Sequence, residues 1–225
     1  MNLLSKAAGS LMVSSLLFAA LGCGGGGHSN VRVLLASTGQ SNVDVVINGS
    51  VVATDLLYGA ATSYISVKSG AVRIQLEPTG TKTPFLDQTI STSSSGQYTF
   101  VVDNSSTSLS SFTLTDDVTT PTNINLRIVN AALDLPTADV YIVPQGTSIS
   151  SVPPTISNLA FGQASSYQTL TTAGAYEVYF TQPGTTFAFI DTGAISLATG
   201  QNRTLFAMDT QFGGGFTFLV LADFN

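Results

Sequence analysis

The sequence contains very little of the chemistry on which most enzyme and metal sites depend. Among 225 residues there are one cysteine, one histidine and no tryptophan, and 9% of the residues are charged, against about 25% in a typical soluble domain. Because Cys23 and His28 both lie near the N-terminus, the rest of the chain can form neither a His/Cys metal site nor a Ser-His-Asp triad. One cysteine also excludes an intramolecular disulfide. We therefore predict no enzymatic activity, no catalytic residues and no cofactor.

Basic residues are also scarce. The chain has 7 Lys and Arg against 13 Asp and Glu, which gives a formal net charge of -6 at pH 7. Nucleic-acid affinity depends on clustered cations that neutralise phosphates, and the sequence has no such cluster. Nucleic acid is therefore excluded as a partner.

The first 22 residues have the features of an export signal. Lys6 supplies a positive n-region, and residues 7–21 are apolar or small and carry no charge, a segment shorter than the roughly 20 residues of a membrane-spanning helix. The segment ends at Ala20-Leu21-Gly22-Cys23, which resembles the lipobox of bacterial lipoproteins. That resemblance implies cleavage of residues 1–22 and attachment of lipid to the thiol of Cys23. An ordinary signal peptide followed by an unrelated cysteine is the alternative.

Residues 23–30 are predicted to be a flexible tether, because Gly24 to Gly27 are consecutive glycines. A lipid on Cys23 makes the membrane the first predicted partner and places the protein in the cell envelope. The lipoprotein resemblance also implies outer-membrane sorting in a Gram-negative host, since Gly24 stands where Asp would retain such a protein in the inner membrane. An envelope protein or a polysaccharide is a further possible partner.

Eight short segments after the tether have the composition of β-strands, with Gly, Pro, Ser or Asn between most of them. They are residues 32–36, 43–47, 51–53, 64–67, 72–76, 85–90, 98–102 and 112–115. Asn48-Gly49 between two of them predicts a tight hairpin, because both turn residues need positive φ. Short strands at regular spacing favour a sandwich or a barrel.

The same pattern occurs twice along the chain. The matches are Val31-Arg32-Val33 with Leu126-Arg127-Ile128, Val43-Asp44-Val45 with Ala138-Asp139-Val140, Tyr58-Gly59 with Phe161-Gly162, Tyr64 with Tyr167, Asp87 with Asp191, Gly96-Gln97 with Gly200-Gln201, and Phe112-Thr113-Leu114 with Phe216-Thr217-Phe218. We therefore predict an all-β fold of two tandem immunoglobulin-like antiparallel β-sandwich domains, residues 31–116 and 125–225. Residues 117–124 are polar, contain proline and are predicted to form the linker.

These repeated segments carry a family resemblance. Val31-Arg32-Val33-Leu34-Leu35-Ala36-Ser37 and Val43-Asp44-Val45-Val46-Ile47-Asn48-Gly49, followed by Tyr58-Gly59 and Tyr64, resemble the DUF4397 family of bacterial exported proteins. The resemblance covers nearly all of the chain after the glycines, in two copies. It implies a secreted, often lipid-anchored, β-rich protein and adds almost nothing about activity, because the function of the family is unknown.

Carboxylates are the one remaining source of catalytic or metal chemistry. Asp116-Asp117 lies at the start of the predicted linker and is interpreted as a solvated turn. Glu77 and Glu177 fall at roughly corresponding positions of the two copies, so they should not face each other across a substrate. Three aspartates near strand ends could supply oxygen ligands to Ca²⁺, although no spaced Asp-rich loop accompanies them; they are Asp103, Asp191 and Asp209.

A long segment of the second copy is a candidate contact loop, since long loops are often functional. It stands where the first copy turns at Asn48-Gly49, and two prolines would lower the entropy that it loses on binding. Its candidate contact residues are Gln145, Ser148, Ser151, Pro153 and Pro154. The alternative is an extra edge hairpin.

An aromatic cluster in the second copy is a candidate surface, with Tyr176 and Tyr179 as its contact residues. The alternative is that these aromatic side chains fill the core.

The sequence also predicts an ion pair in each copy. A hairpin centred near Thr38 would place Arg32 opposite Asp44. The same spacing would pair Arg127 with Asp139. Each pair is predicted on an outer face and is worth about 0.2–1 kcal/mol.

The sequence therefore favours a membrane-anchored envelope or surface lipoprotein with a non-enzymatic structural, adhesion or ligand-binding role. The alternatives are a carbohydrate-binding protein, a hydrolase accessory protein and a hydrolase based on two carboxylates. An exposed line of coplanar aromatic rings would favour sugar binding, whereas two buried carboxylates in one cleft would favour an enzyme.

Overall fold

The computed structural model describes residues 26–40, 42–104, 108–117 and 119–224, without the side chain of Phe224. Apart from a 3₁₀ turn at Ile149–Ser151, the regular elements of these residues are β-strands, which confirms the all-β prediction. No helix within the described residues is long and apolar enough to cross a membrane. Cys23 and the predicted export signal lie outside the described residues.

The first sandwich contains eight strands in two four-stranded sheets. They are β1 (His28–Leu35), β2 (Val43–Ile47), β3 (Ser50–Leu56), β4 (Ile65–Lys68), β5 (Gly70–Pro78), β6 (Leu86–Thr92), β7 (Gln97–Asn104) and β8 (Leu109–Thr115). One sheet has the order β4-β1-β7-β8 and the other β3-β2-β5-β6. Each predicted strand is present, but the tether was predicted too long, because His28, Ser29 and Asn30 already pair with β4.

The second sandwich repeats this arrangement. Its strands are β9 (Ile124–Ala131), β10 (Ala138–Pro144), β11 (Ile156–Leu159), β12 (Gln168–Leu170), β13 (Gly174–Thr181), β14 (Ala188–Asp191), β15 (Ile195–Leu197), β16 (Gln201–Asp209) and β17 (Phe216–Phe224). The sheet orders are β12-β9-β16-β17 and β11-β10-β13-β14, with β15 also paired to β13. The predicted sandwich architecture is confirmed, and each sandwich adds one parallel pair, β1 with β7 and β9 with β16.

The strands run between two ends of the molecule. β1, β7, β9 and β16 begin at the end of the molecule where His28 lies, here named the proximal end, and finish at the opposite, distal end. At the start of β7, the Gln97 side chain donates a hydrogen bond to the carbonyl of Asp223, near the end of β17, at 2.8 Å. The proximal ends of the two sandwiches therefore lie side by side.

The strand β1 is buried on both of its faces. Val31, Val33 and Leu35 point into the core of the first sandwich, whereas Leu34 and Ala36 pack in a separate cluster between the sandwiches. That cluster contains Leu34, Ala36, Val101, Leu114, Val129, Ala131, Phe206 and Met208. The four sheets therefore stack in four layers, and the double burial of the middle sheets explains why the β1 segment lacks a clear polar alternation.

The tight turn that Asn48-Gly49 predicts is confirmed. Both residues have positive φ, 49° and 82°, and Ile47 pairs with Ser50 across the turn. These are the φ values that a two-residue hairpin requires.

The predicted outer-face ion pairs, Arg32 with Asp44 and Arg127 with Asp139, are wrong. The connection from β1 to β2 crosses from one sheet to the other, and so does the connection from β9 to β10. A hairpin register therefore does not exist at either place.

Asp44 and Asp139 instead each accept backbone hydrogen bonds from two turns of their own sandwich. Asp44 accepts backbone N–H bonds from Asp55 at 3.1 Å and from Gly80 at 3.2 Å. Asp55 has a positive φ of 55°, which is uncommon for a non-glycine residue, so the carboxylate stabilises a bend in the edge strand β3. In the second sandwich Asp139 accepts the corresponding bonds from Asn158 and Gly184, both at 2.9 Å.

Candidate functional site

A cluster of charged side chains is buried between the two sandwiches at the proximal end. Arg32 and Arg127 are each 4% exposed, and Asp116 and Asp223 are 4% and 3% exposed. Since Val31 and Val33 point into the first core, the alternation of β1 turns Arg32 toward the second sandwich. Together with their hydrogen-bonding neighbours, these residues form the inter-sandwich network: Arg32, Tyr64, Thr99, Asp116, Arg127, Tyr167, Thr204 and Asp223.

The guanidinium of Arg32 binds groups of both sandwiches. Its Nε donates to Thr99 Oγ1 at 2.7 Å, within the first sandwich. Its Nη1 donates to the carbonyl of Ala222 at 2.6 Å, and its Nη2 donates to Asp223 Oδ1. Both of these acceptors belong to β17, so Arg32 links the two sandwiches directly.

Arg127 repeats these contacts in the opposite direction. Its Nε donates to Thr204 Oγ1 and its Nη1 to the carbonyl of Thr115, both at 2.9 Å, while its Nη2 donates to Asp116 Oδ1. The arginine of each sandwich is thus paired with the aspartate of the other. The contact has the approximate two-fold symmetry of an isologous dimer interface, although it lies within one chain.

Two tyrosines complete the network. Tyr64 donates its hydroxyl to Asp116 Oδ2, and Tyr167 donates to Asp223 Oδ2, both at 2.8 Å. The guanidinium carbons of Arg32 and Arg127 lie over these rings, 4.6 and 4.8 Å from the centroids, within the range of a cation–π interaction. Burial, together with the charge of the bonded aspartate, raises the pKa of both tyrosines, so both hydroxyls remain protonated donors at neutral pH.

The network joins the two sandwiches. It contains two arginines and two aspartates, so it is formally neutral. Burial is the main cause that raises the pKa of Asp223, the charge of Asp116 adds to it, and Arg32 opposes it. Because ion pairs of this kind cost desolvation free energy, their main effect is often to fix one arrangement rather than to add stability.

The repeated Arg and Asp residues of this network are present in the sequence, but the predicted match between β8 and β17 is out of register. Thr99 pairs with Leu114 and Thr204 with Leu221, so Leu114-Thr115-Asp116 corresponds to Leu221-Ala222-Asp223. The predicted match of Phe112-Thr113-Leu114 with Phe216-Thr217-Phe218 is therefore wrong. The interpretation of Asp116 as a solvated turn residue is also wrong, since Arg127 binds it in the interface.

The distal end of the same interface is not symmetric. The equivalence of Thr99 with Thr204 places Asp103 where the second sandwich has Met208. Asp103 is 0% exposed; its Oδ1 accepts the N–H of Asn104 at 2.7 Å, and its Oδ2 has no hydrogen-bond partner among the described residues. Burial raises the pKa of Asp103 to about 7, and the charge of Asp209 adds to the rise.

The predicted contact loop is an exposed excursion at the edge of the second sandwich. Gln145, Ser148, Ser151 and Pro153 are exposed, and Pro154 is half-buried. The loop holds itself together, since Ser151 Oγ donates to the carbonyl of Ser148 at 2.8 Å. It contains the 3₁₀ turn rather than an extra hairpin.

The two predicted surface tyrosines have different environments. Tyr176 is 7% exposed within the second core and therefore does not lie on a surface. Tyr179 is half-buried, and its hydroxyl donates to Glu177 Oε2 at 2.9 Å, the main cause that raises the pKa of Tyr179 to about 12. The same oxygen of Glu177 accepts the N–H of Gly146 at 3.3 Å, so Glu177 connects Tyr179 to the contact loop.

Two carboxylates share a groove of about 290 Å³ on the first sandwich, which Asp44, Glu77 and Lys82 help to line. Asp44 is held by the N–H groups of Gly80 and Asp55, which lower its pKa, so it cannot act as a proton donor near neutral pH. Glu77 lies opposite Asp44, and Glu177 lies opposite Val143. The two glutamates are in separate sandwiches as expected, but at positions that do not correspond.

The described residues contain no group of three or more His, Cys, Asp and Glu side chains that could hold a metal ion. Of the three aspartates considered for Ca²⁺, Asp103 and Asp209 lie close enough to interact electrostatically. Asp191 instead accepts the N–H of Gly193 at 2.9 Å. The structure therefore does not bring the three together.

Comparisons with known proteins identify the repeated unit. A family model described as "Domain of unknown function (DUF4397)" matches the chain twice, over residues 29–141 and 125–225. No match was found among curated proteins. Among solved structures, the chain is similar to CBMbc (family CBM26) from Eubacterium rectale Amy13K in complex with maltoheptaose, at 14% identity over 85% of this chain and 96% of that one, with a TM-score of 0.28. At a TM-score this low, the likeness between the two structures does not extend to the overall arrangement of the strands.

Proposed function

The chain belongs to the DUF4397 family, and we propose that it is a lipid-anchored protein of the cell envelope whose two sandwiches act as one non-enzymatic module. The lipobox-like motif at Cys23 supports the anchor. The inter-sandwich network supports the single module, because it ties both sandwiches together at the proximal end.

The proposal of a non-enzymatic role rests on one observation. The charged residues repeated in both copies bind other groups of the protein itself. Arg32 and Arg127 join the sandwiches, and Asp44 and Asp139 fasten turns. Catalytic acids, bases and nucleophiles must be free to contact a substrate. The carboxylates repeated here are occupied by guanidinium or backbone N–H groups.

The proposed anchor also orients the module. β1 begins at His28, the fifth residue after Cys23, and five extended residues span at most about 18 Å. The proximal end would therefore lie next to the membrane, and the distal end would face away from it.

The test of the anchor is metabolic labelling with radioactive palmitate, followed by cell fractionation. Cys23→Ser should yield an exported chain without label, released from the membrane fraction. Gly25→Ser is the matched control and should keep both the label and the membrane location. Label and membrane attachment retained by the Cys23→Ser chain would show that the anchor is not at this thiol.

A second candidate function is ligand binding on the outer face of the second sandwich. The observation that favours it is the link through Glu177, which places Tyr179 and the exposed contact loop on one continuous surface. Aromatic rings, carboxylates and hydroxyls together suit a polysaccharide or a polar protein segment.

The purified chain can be tested for this by pull-down against envelope fractions and polysaccharides. Tyr179→Ala should reduce retention of the ligand, whereas Gln75→Ala, at the corresponding position of the first sandwich, should not. Equal retention by both variants would move the contact surface elsewhere.

A further inference from the structure

The distal end of the interface brings together titratable groups from both sandwiches. Asp103 comes from β7, and Asp209 comes from the end of β16. Tyr58, from the connection between β3 and β4, donates its hydroxyl to the carbonyl of Asp209. The carboxylate of Asp209 accepts the N–H of Leu133 at 2.8 Å and that of Asp134 at 3.2 Å.

Within the part of the chain that the structure describes, no cation offsets these groups. Burial raises the pKa of Asp103, the N–H of Asn104 lowers it, and the charge of Asp209 raises it further. Burial and the charge of Asp134 raise the pKa of Asp209, although two backbone N–H groups lower it. Burial, together with Asp209 and Asp103, raises the pKa of Tyr58 to about 12.

The inter-sandwich network is too distant to neutralise Asp103. Thr99 marks the network on β7, and Asp103 lies four residues further along the strand, about 13 Å away. An ionised Asp103 would therefore be a fully buried charge beside a second carboxylate, which is strongly unfavourable.

We propose that Asp103 makes the joint between the two sandwiches proton-sensitive: the protonated carboxyl allows the distal end to close, and ionisation of the carboxyl loosens it. The inference rests on the unpartnered Oδ2 of Asp103 and on its full burial at the position where the second sandwich has the apolar Met208. The proximal network has its own counter-charges, so the loosening is confined to the distal end.

The direction of the pH effect follows from the raised pKa of Asp103. The folded group holds its proton up to about pH 7, whereas an exposed Asp loses its proton near pH 4. The stabilising effect of protonation is complete below about pH 4 and is lost as the pH rises through about 7. Between these limits, one proton is released on opening, so the equilibrium constant for unfolding rises by up to about tenfold per pH unit.

The test is urea unfolding of the full chain in detergent from about pH 4.5 to about pH 8, with Asp103→Asn and the control Asp87→Asn, which changes an exposed carboxylate of the same sandwich. The wild type and Asp87→Asn should release about one more proton on unfolding than Asp103→Asn. Amide hydrogen exchange at Val101 and Phe206, which pack in the interface, should quicken with pH in the wild type more than in Asp103→Asn.

Two further measurements keep the proposal falsifiable. Asp103→Met, which installs the residue of the symmetric position, also removes the carboxyl and should give the same proton count as Asp103→Asn. Either variant therefore serves for the test if the other folds poorly. An unchanged proton count in both variants would overturn the proposal. So would a wild type whose pH dependence disappears in millimolar calcium chloride, because the carboxylates would then form a cation site rather than a proton-sensitive joint.

Discussion

The two sandwiches use the same charged residues at the proximal end of their interface and different charged residues on their outer faces. Arg73 and Glu177 each lie four residues before the residue that pairs with the repeated aspartate. In the first sandwich Arg73 forms an exposed ion pair with Asp87, whereas the second sandwich has Glu177 and Asp191 at these two positions. The residues of the inter-sandwich network are held by contacts with the other copy, whereas the outer residues have no such contacts, and a specific ligand should be sought on the outer faces.

The largest expected effect comes from breaking the symmetric network. Arg127→Met leaves Asp116 as a buried charge with a missing partner, and we expect a loss of about 3–5 kcal/mol in the free energy of unfolding. Arg32→Met should cost a similar amount, because its contacts repeat those of Arg127. Urea unfolding measures both.

A double variant sharpens this comparison. Arg127→Met combined with Asp116→Leu removes the buried charge as well as its partner, so most of the lost stability should return. If Arg32→Met proved harmless while Arg127→Met did not, the two halves of the network would be equal in geometry but not in energy.

The strands and the existence of a repeat could be read from the sequence because both depend on local pattern. β2, its Asn48-Gly49 turn and β3 carry their signals within a few residues. The partners of Arg32 could not be found in this way, because Asp223 lies at the far end of the chain. The sequence match of Phe112 with Phe216 also hid the equivalence of Asp223 with Asp116. The predicted hairpin between β1 and β2 was wrong for a related reason. The chain crosses between sheets there, and so short a connection carries no periodic pattern that would reveal the crossing.

The second expected effect concerns the aspartates that fasten turns. Asp139→Ala removes the acceptor of two backbone N–H bonds, and we expect a loss of about 1–3 kcal/mol. Asp44→Ala should act in the same direction. The N–H groups of Gly80 and Asp55 lower the pKa of Asp44, so its stabilising effect is present above about pH 4 and disappears as the pH falls further. Acid unfolding followed by circular dichroism should show the Asp44→Ala chain converging on the wild type below that pH.

A smaller effect is expected from the tyrosines of the network. Tyr64→Phe and Tyr167→Phe each remove one hydrogen bond to an aspartate but keep the ring under the arginine, so each should cost about 1 kcal/mol. Thermal unfolding of both variants measures the difference. Unequal losses would indicate that the two halves of the network are not equally packed.

The smallest expected effect on stability comes from the contact loop, the clearest difference in chain length between the two copies. Replacing residues 145–151 with Asn-Gly would join Pro144 to Val152, which already has an extended backbone with φ -132° and ψ 152°. The change imitates the Asn48-Gly49 turn of the first sandwich. Because the removed residues are mostly exposed, we expect the free energy of unfolding to change by less than about 0.5 kcal/mol.

Binding separates the two roles that remain for this loop. Ser148→Ala, which removes one exposed hydroxyl and keeps the loop, is the matched control for the shortened variant. If the outer face of the second sandwich holds a ligand, the shortened chain should lose retention while Ser148→Ala keeps most of it, because the loop and Tyr179 share the contact through Glu177. A shortened chain that folds and still retains the ligand would assign the loop to architecture alone and leave Tyr179 as the residue to examine.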